Sequence, residues 1–226
     1  LSVDNRKRGN LKSLVSGFGI VLKNRRYVYY VLQMGFAMGV LFANISSSPF
    51  IVQQHYGFSA FEFSLFFGIN ALAIGLAAGL SVKFKNPEHA MFLGSVGMTM
   101  MSAVEFVILS NEYHFAVYEA VLFVLLFSMG LTFTASTTLA MDCERANSGT
   151  ASALFGAAGF AFGGIVSPLV GLGDILSTTG LIFFVCSVCS LCFSVLAMNQ
   201  THTNLWGSFK CKMGPVTRFV FLRREK

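Results

Sequence analysis

Six apolar runs, each near the roughly 20 residues that cross a bilayer core, lie at 27-48, 59-80, 90-109, 116-138, 150-172 and 178-198. Each predicts a transmembrane helix, because a backbone facing lipid has to satisfy its own hydrogen bonds. All sixteen Lys and Arg residues fall outside these runs, in the leader 1-26, the loops 81-89 and 141-149, and the tail 199-226. The alternate connections 49-58, 110-115 and 173-177 carry only Glu112 and Asp174 as charges. The positive-inside rule then reads one topology, with both ends cytoplasmic. The predicted fold class is an all-α polytopic membrane protein.

The organisation follows: 1-26 as a cytoplasmic amphipathic leader, 27-198 as the six-helix transmembrane unit, and 199-226 as a basic cytoplasmic tail. In the leader, Leu11, Leu14, Val15, Phe18, Val21 and Leu22 keep a helical rhythm, flanked by Lys12, Lys23, Arg25 and Arg26. That pattern predicts a helix lying on the membrane face before the first span. The tail interleaves Trp206, Phe209, Phe219 and Phe221 with basic residues, is broken by Gly214-Pro215, and predicts adhesion to the membrane surface. Leu1 and the polar residues behind it make neither an initiator nor a signal peptide, and read as a start partway through a longer protein.

Composition agrees with lipid as the solvent: 54% apolar residues, 12% charged and 25 Phe, with a mean hydropathy of +0.67. The net charge of +6 does not point to nucleic acid, because the basic residues are sorted by membrane side and not gathered on one face. Cys186, Cys189 and Cys192 recur three apart in the last run, which holds no His or acid, so they read as packing residues and not as a metal site. The four histidines do not cluster, and no P-loop, nucleophile motif or Arg-rich voltage sensor occurs. No cofactor, metal or enzyme activity is expected.

A shift of 88 residues superimposes the two halves of 27-198. Ser64, Phe67, Gly68, Ala73 and Gly75 pair with Ser152, Phe155, Gly156, Ala161 and Gly163. Tyr30 pairs with Tyr118, Ser48 with Ser136, and Ser102 with Ser190. Three spans per copy invert the second copy, giving a 3+3 inverted repeat of the kind that surrounds transport sites near the bilayer midplane. Small residues at four-residue spacing, Gly35 and Gly39, Gly75 and Gly79, Gly159 and Gly163, together with Gly156, are candidates for close helix packing or for faces that slide during transport.

Polar groups inside spans are costly unless they face protein or water, so Gln33, Asn44, Asn70 and Glu105 are cavity candidates. Asn70 beside Phe66 and Phe67 suits a pocket for a mostly apolar ligand, or alternatively an interhelical hydrogen bond. Glu105, near the outer end of the third span and within reach of the interface, and Glu119, near the start of the fourth where the helix dipole favours an acid, are candidates for proton coupling. Ser59 and Glu62 have the spacing of a capping box.

Four segments resemble the second half of a major facilitator superfamily transporter, closest to the Bcr/CflA drug-resistance branch. They are Phe42-Ala-Asn-Ile-Ser-Ser-Ser-Pro-Phe50 with Tyr56-Gly57-Phe58-Ser59, then Phe67-Gly68-Ile69-Asn70-Ala71, and Ser148-Gly-Thr-Ala-Ser-Ala-Leu-Phe-Gly156 with Ser167-Pro168-Leu-Val-Gly171. The resemblance covers about 1-198 and implies helices seven to twelve of a twelve-helix proton-coupled drug exporter. It implies that the seventh, eighth, tenth and eleventh helices line the cavity, which favours Asn44 and Asn70 over Glu105 on the ninth. The loop Gly79-Leu-Ser-Val-Lys83-Phe-Lys85 lacks the Asp, Arg and second Gly of the superfamily's gating loop. The usual coupling acid belongs to the other half.

The reading is therefore the C-terminal half of a drug:proton antiporter of a bacterial inner membrane, unable to transport alone. Asn44, Asn70, Phe66, Phe67 and Gln33 would line the substrate cavity, with Glu105 and Glu119 available for protons. Its partners would be small amphipathic drug-like substrates, protons, the lipid bilayer and the missing N-terminal half, with no nucleic acid. A transporter of sugars or metabolites, and a non-transporting membrane scaffold or remnant, are the competing readings.

Overall fold

The structure is a computed structural model that describes the chain from residue 11 to residue 212, with side chains over residues 17-200. Seven α-helices occupy it: α1 (Leu11–Leu22), α2 (Arg25–Pro49), α3 (Ala60–Ser81), α4 (Pro87–Ser110), α5 (Phe115–Cys143), α6 (Ser148–Leu169) and α7 (Ile175–Lys212). Six of them, α2 to α7, are long and apolar enough to cross a membrane. No strand occurs among the described residues.

The helix starts follow local chemistry. The Asn24 side chain accepts from the Tyr27 N–H, and Ser59 with Glu62 forms the expected capping box at α3. Pro87 opens α4, where its missing N–H costs nothing, and His114 accepts from the Ala116 N–H at α5. Asp174 accepts the Ser177 N–H at 2.9 Å as α7 begins. At the far end of α2, Pro49 has no N–H for the Ile45 carbonyl, and the chain goes over to a π-helical segment, Phe50–His55. Gly57, at φ +77°, then turns the chain toward α3.

The packing repeats the sequence symmetry. α2 packs on α5, α6 and α7; α5 packs on α2, α3 and α4; and α4 packs on α7. Exchanging α2 with α5, α3 with α6 and α4 with α7 returns the same set of neighbours, as an inverted repeat requires. The first helix of each copy is central, 56% of its apolar stretch being buried, whereas α3 and α6 present most of theirs outward at 17% and 28%.

Helix α1 packs against the start of α6, with Gly17 facing Thr150, and Val21 fully buried. The expected leader helix is thus present and docked on protein. The last helix runs on past the predicted end at 198, to Lys212. Trp206, Phe209, Phe219, Phe221, His202 and Cys211 lie outside the described side chains.

Because the spans alternate in direction, Arg25, Arg26, Lys83, Lys85 and Arg145 share one end of the bundle, called the basic end here. The α2–α3, α4–α5 and α6–α7 connections make the far end.

Candidate functional site

At the far end, α3 and α5 are tied by one polar contact. Asn70 Nδ2 donates to Glu119 Oε1 at 2.8 Å. Asn70 is 6% exposed, and its own Oδ1 and Glu119 Oε2 are buried without partners. The pair lies beside a groove of about 450 Å³ lined by Phe66, Ile69, Phe115, Ala116, Glu119, Ala120 and Phe123. A single carboxyl in an otherwise apolar aromatic groove can orient a cationic or hydrogen-bonding group while the walls take the apolar body of a ligand.

Aromatic rings close this end. Phe115 meets Phe58 at 4.3 Å, Phe66 at 4.7 Å and Tyr56 at 5.2 Å between centroids. The Tyr56 hydroxyl donates to the Tyr113 carbonyl at 2.8 Å, tying the α2–α3 connection to the α4–α5 connection. Beneath the rings, Glu105 of α4 is wholly buried and neither of its oxygens has a hydrogen-bond partner. The Tyr118 hydroxyl is also buried and unpaired; it lies beside Ser48 without closing a hydrogen bond, within electrostatic reach of Glu105 and Glu119.

The remaining predicted site residues divide by where their helix faces. Phe66 lines the groove, whereas Phe67, one residue and about 100° further round the helix, is 39% exposed on a face of α3 turned away from that groove, with the Phe63 ring at 5.8 Å. Asn44 is buried in α2, its Oδ1 accepting from Ser48 at 2.9 Å. Gln33 does not reach a cavity: it donates to Ser190 at 3.0 Å, accepts a short hydrogen bond from Ser136, and its carbonyl accepts from Ser190. It is a fully used clamp joining α2, α5 and α7. Glu105 does not reach the interface as its position in sequence suggested, because its face of α4 is turned into the bundle. Glu119 sits in the second turn of α5, too far along for the dipole to matter most, and is held by Asn70.

The glycines separate in the same way. A Cβ on Gly35 would meet the Phe162 ring at 2.6 Å, on Gly39 the Cys186 sulfur at 3.1 Å, and on Gly159 the Met38 side chain at 3.3 Å; on Gly163 it would run into the Phe42 ring. Gly35, Gly159 and Gly163 make the α2–α6 contact, and Gly39 sits against both α7, through Cys186, and α6, through Val166. Around Gly75, Gly79 and Gly156 nothing lies within 4 Å, so they support no close approach among the described residues. The repeat explains Gly75: its counterpart Gly163 receives Phe42, but the residue equivalent to Phe42 is Gly130, which instead receives the Ile74 backbone.

Sequence reasoning missed Tyr118 and Phe115 as parts of this site. Its one clue was the pairing of Tyr30 with Tyr118. It also missed the basic-end ties. Arg26 bridges to Glu88 at 2.9 Å and donates to the Tyr30 hydroxyl at 3.1 Å. Asn24 donates to Glu144 at 2.8 Å, and Tyr27 to the Ala151 carbonyl at 2.7 Å.

A bundle with an internal inverted repeat and acids buried in its spans is the architecture of a secondary transporter. A family model described as the Major Facilitator Superfamily matches residues 2–168. The chain belongs to the major facilitator superfamily. It is 33% identical, over 90% of its length, to an uncharacterized MFS-type transporter, YdgK, of Bacillus subtilis (strain 168), and covers 52% of that protein. The chain thus spans about half the length of the curated relative it matches. Its six spans form half of a major facilitator bundle, in a multi-pass membrane protein of a transporter superfamily.

Proposed function

We propose that this chain is the C-terminal half of a proton-coupled exporter of small amphipathic drug-like compounds, of the Bcr/CflA type, in the inner membrane of a bacterium with the basic end in the cytoplasm. The observation that carries this reading is the Glu119–Asn70 pair set in the aromatic groove between α3 and α5. A ligand with an apolar body and a positive or donor group competes for the Glu119 carboxylate. When a proton takes that place, the ligand is released, and the two alternate at one site. Asn70 holds the carboxyl toward the groove, Phe66 supplies wall, and Asn44 and Ser48 keep α2 polar at the level of the site.

The outward faces of α3 and α6 fit a second six-helix half. Gly68, Gly75 and Gly79 on α3, and Gly149, Gly156 and Gly164 on α6, have open space where a neighbouring helix approaches closely. Lipid alone does not call for small residues there.

The test is substrate-driven proton movement in everted membrane vesicles. The chain assembled with a six-helix partner half dissipates an imposed proton gradient when an amphipathic cation is added, and Glu119→Gln abolishes the response. The chain alone gives none. Proton flux by the chain alone contradicts the half-transporter reading, and an unaltered response in Glu119→Gln contradicts the role of the pair.

A further inference from the structure

We propose that Glu105 is a second, occluded proton-binding site of this half, distinct from Glu119 and exchanging with it by way of the Tyr118 hydroxyl. The proposal deepens the proton-coupled reading, resting on it for the use of the site but not for the site's existence.

The repeat is the first argument. Every residue of the far-end acid site has an equivalent 88 positions away at the basic end. Glu105 corresponds to Phe193, Glu119 to Val31 and Asn70 to Ala158, whereas Tyr118 corresponds to Tyr30. Phe193 is an ordinary packing residue, stacked on Phe36 with centroids 5.7 Å apart. The repeat therefore carries an apolar, half-buried side chain at the position equivalent to Glu105. An acid at that position is an addition to the architecture and not a requirement of it.

Burial is the second argument. Glu105 is wholly buried, with both oxygens unpartnered. A carboxylate in that state is the costliest form a side chain takes in a membrane protein, whereas the neutral acid is tolerated. Among the described residues no cation stands by to hold it ionised. Of the elements packed against α4, α5 carries Tyr118 and Glu119, the latter held toward α3 by Asn70, and α7 carries no ionisable residue over 175-200 apart from its three cysteines. Tyr56, from the connection after α2, is the other titratable neighbour.

The Tyr118 hydroxyl is the third element. It is buried and unpartnered, it directly precedes Glu119 on α5, and α5 packs closely on α4, which carries Glu105. A hydroxyl both donates and accepts, so it can take the proton of a Glu119 carboxylic acid on its oxygen as it gives its own to a Glu105 carboxylate. One proton moves, Tyr118 stays neutral and no electrons are transferred. In this conformation the hydroxyl bonds to neither acid, which leaves the two sites uncoupled until the helices shift.

Infrared difference spectra between about pH 6 and alkaline pH, a window in which ordinary exposed carboxyls stay ionised, on the protein reconstituted in lipid, read protonated buried carboxyl groups directly and need no substrate. The wild type is expected to show two carboxyl C=O bands that respond to pH. Glu105→Gln removes one and leaves the other, which Glu119→Gln removes. Tyr118→Phe keeps the Glu105 band but slows its exchange in D2O at least tenfold. A Glu105→Gln spectrum that superimposes on the wild type overturns the site, and exchange unchanged in Tyr118→Phe overturns the route. Because Glu105→Phe copies the residue the repeat already accommodates, it serves as a second folded variant and is expected to lose the same band. If the band is lost as expected but vesicles show no proton-coupled export, the export reading fails and the proton site stands.

Discussion

The contact that positions the Asn70–Glu119 pair is a close approach of α3 to α5 at Gly130, which makes Gly130→Ala a demanding perturbation. A Cβ there would lie 2.5 Å from the Ile74 carbonyl oxygen, 2.9 Å from Ala77 Cβ and 3.0 Å from Ile74 Cα. Two of these are backbone atoms, so no side-chain rotation gives relief. Ordinary contact begins at 3.4 Å, so α3 has to recede by about 0.9 Å along that direction. Asn70 sits one turn from Ile74, and its hydrogen bond to Glu119, now 2.8 Å, would open to roughly 3.7 Å if the helix moves as a rod, beyond a hydrogen bond. Overpacking of this kind costs about 1–3 kcal/mol, and a lost interhelical hydrogen bond in lipid adds about 0.6–1.7 kcal/mol. The expected loss is about 2–4 kcal/mol, read from equilibrium unfolding in mixed micelles titrated with a denaturing detergent. In the chain without its partner half, Gly68→Ala is the control: nothing lies within 4 Å of that position, and alanine is the better helix former. Stability of Gly130→Ala within about 0.5 kcal/mol of the wild type, the range of neutral surface changes, refutes the close approach and with it the placement of Asn70.

Gln33→Leu strands the Ser136 and Ser190 hydroxyls, and is expected to cost about 1–3 kcal/mol in the same assay while leaving the substrate range of the assembled transporter unchanged. A changed substrate range would return Gln33 to the cavity. Asp174 is the clearest pH-dependent group outside the spans. The Ser177 N–H holds its carboxyl below the ordinary value, so its contribution is present above the unfolded carboxylate pKa of about 4 and is lost as pH falls through the lower folded value. The gap in thermal stability between wild type and Asp174→Ala should therefore be full near neutrality and shrink below about pH 4; a gap that widens on acidification contradicts the cap. Arg26→Ala breaks the tie to Glu88 and Tyr30 at the basic end, and is expected to speed maleimide labelling of the half-buried Cys143 beside it. Unchanged labelling argues that the tie does not close that end.

The spans were legible because hydropathy over about 20 residues needs no knowledge of partners, and the inverted repeat because equivalent positions kept their residue types. What stayed hidden was rotation. A helix apolar all round has no polar stripe to show which side meets protein, so the inward Phe66 and the outward Phe67 read alike, and Glu105 looked close to the interface when it faces the core. Gly75 and Gly163 are equivalent in the repeat, and differ because α2 offers the Phe42 ring to Gly163 where α5 has Gly130 at the corresponding position. Tyr118 was invisible as chemistry for the same reason: its importance lies in Glu105, which is brought to it by a different helix, α4. The capping box at Ser59 and Glu62 was readable outright, being local.

The central claim is that the α3–α5 wall at Asn70 lines an alternating-access cavity. Its most direct measurement is labelling of a cysteine placed at that position, Asn70→Cys, in the assembled transporter cleared of its native cysteines, the five of this chain included, using a membrane-impermeant maleimide. The account predicts that water-borne reagent reaches the site and that an amphipathic substrate slows the reaction at least several-fold. No reaction at Asn70→Cys in either substrate condition, although the denatured protein labels fully, would contradict the account and leave a buried scaffold in its place.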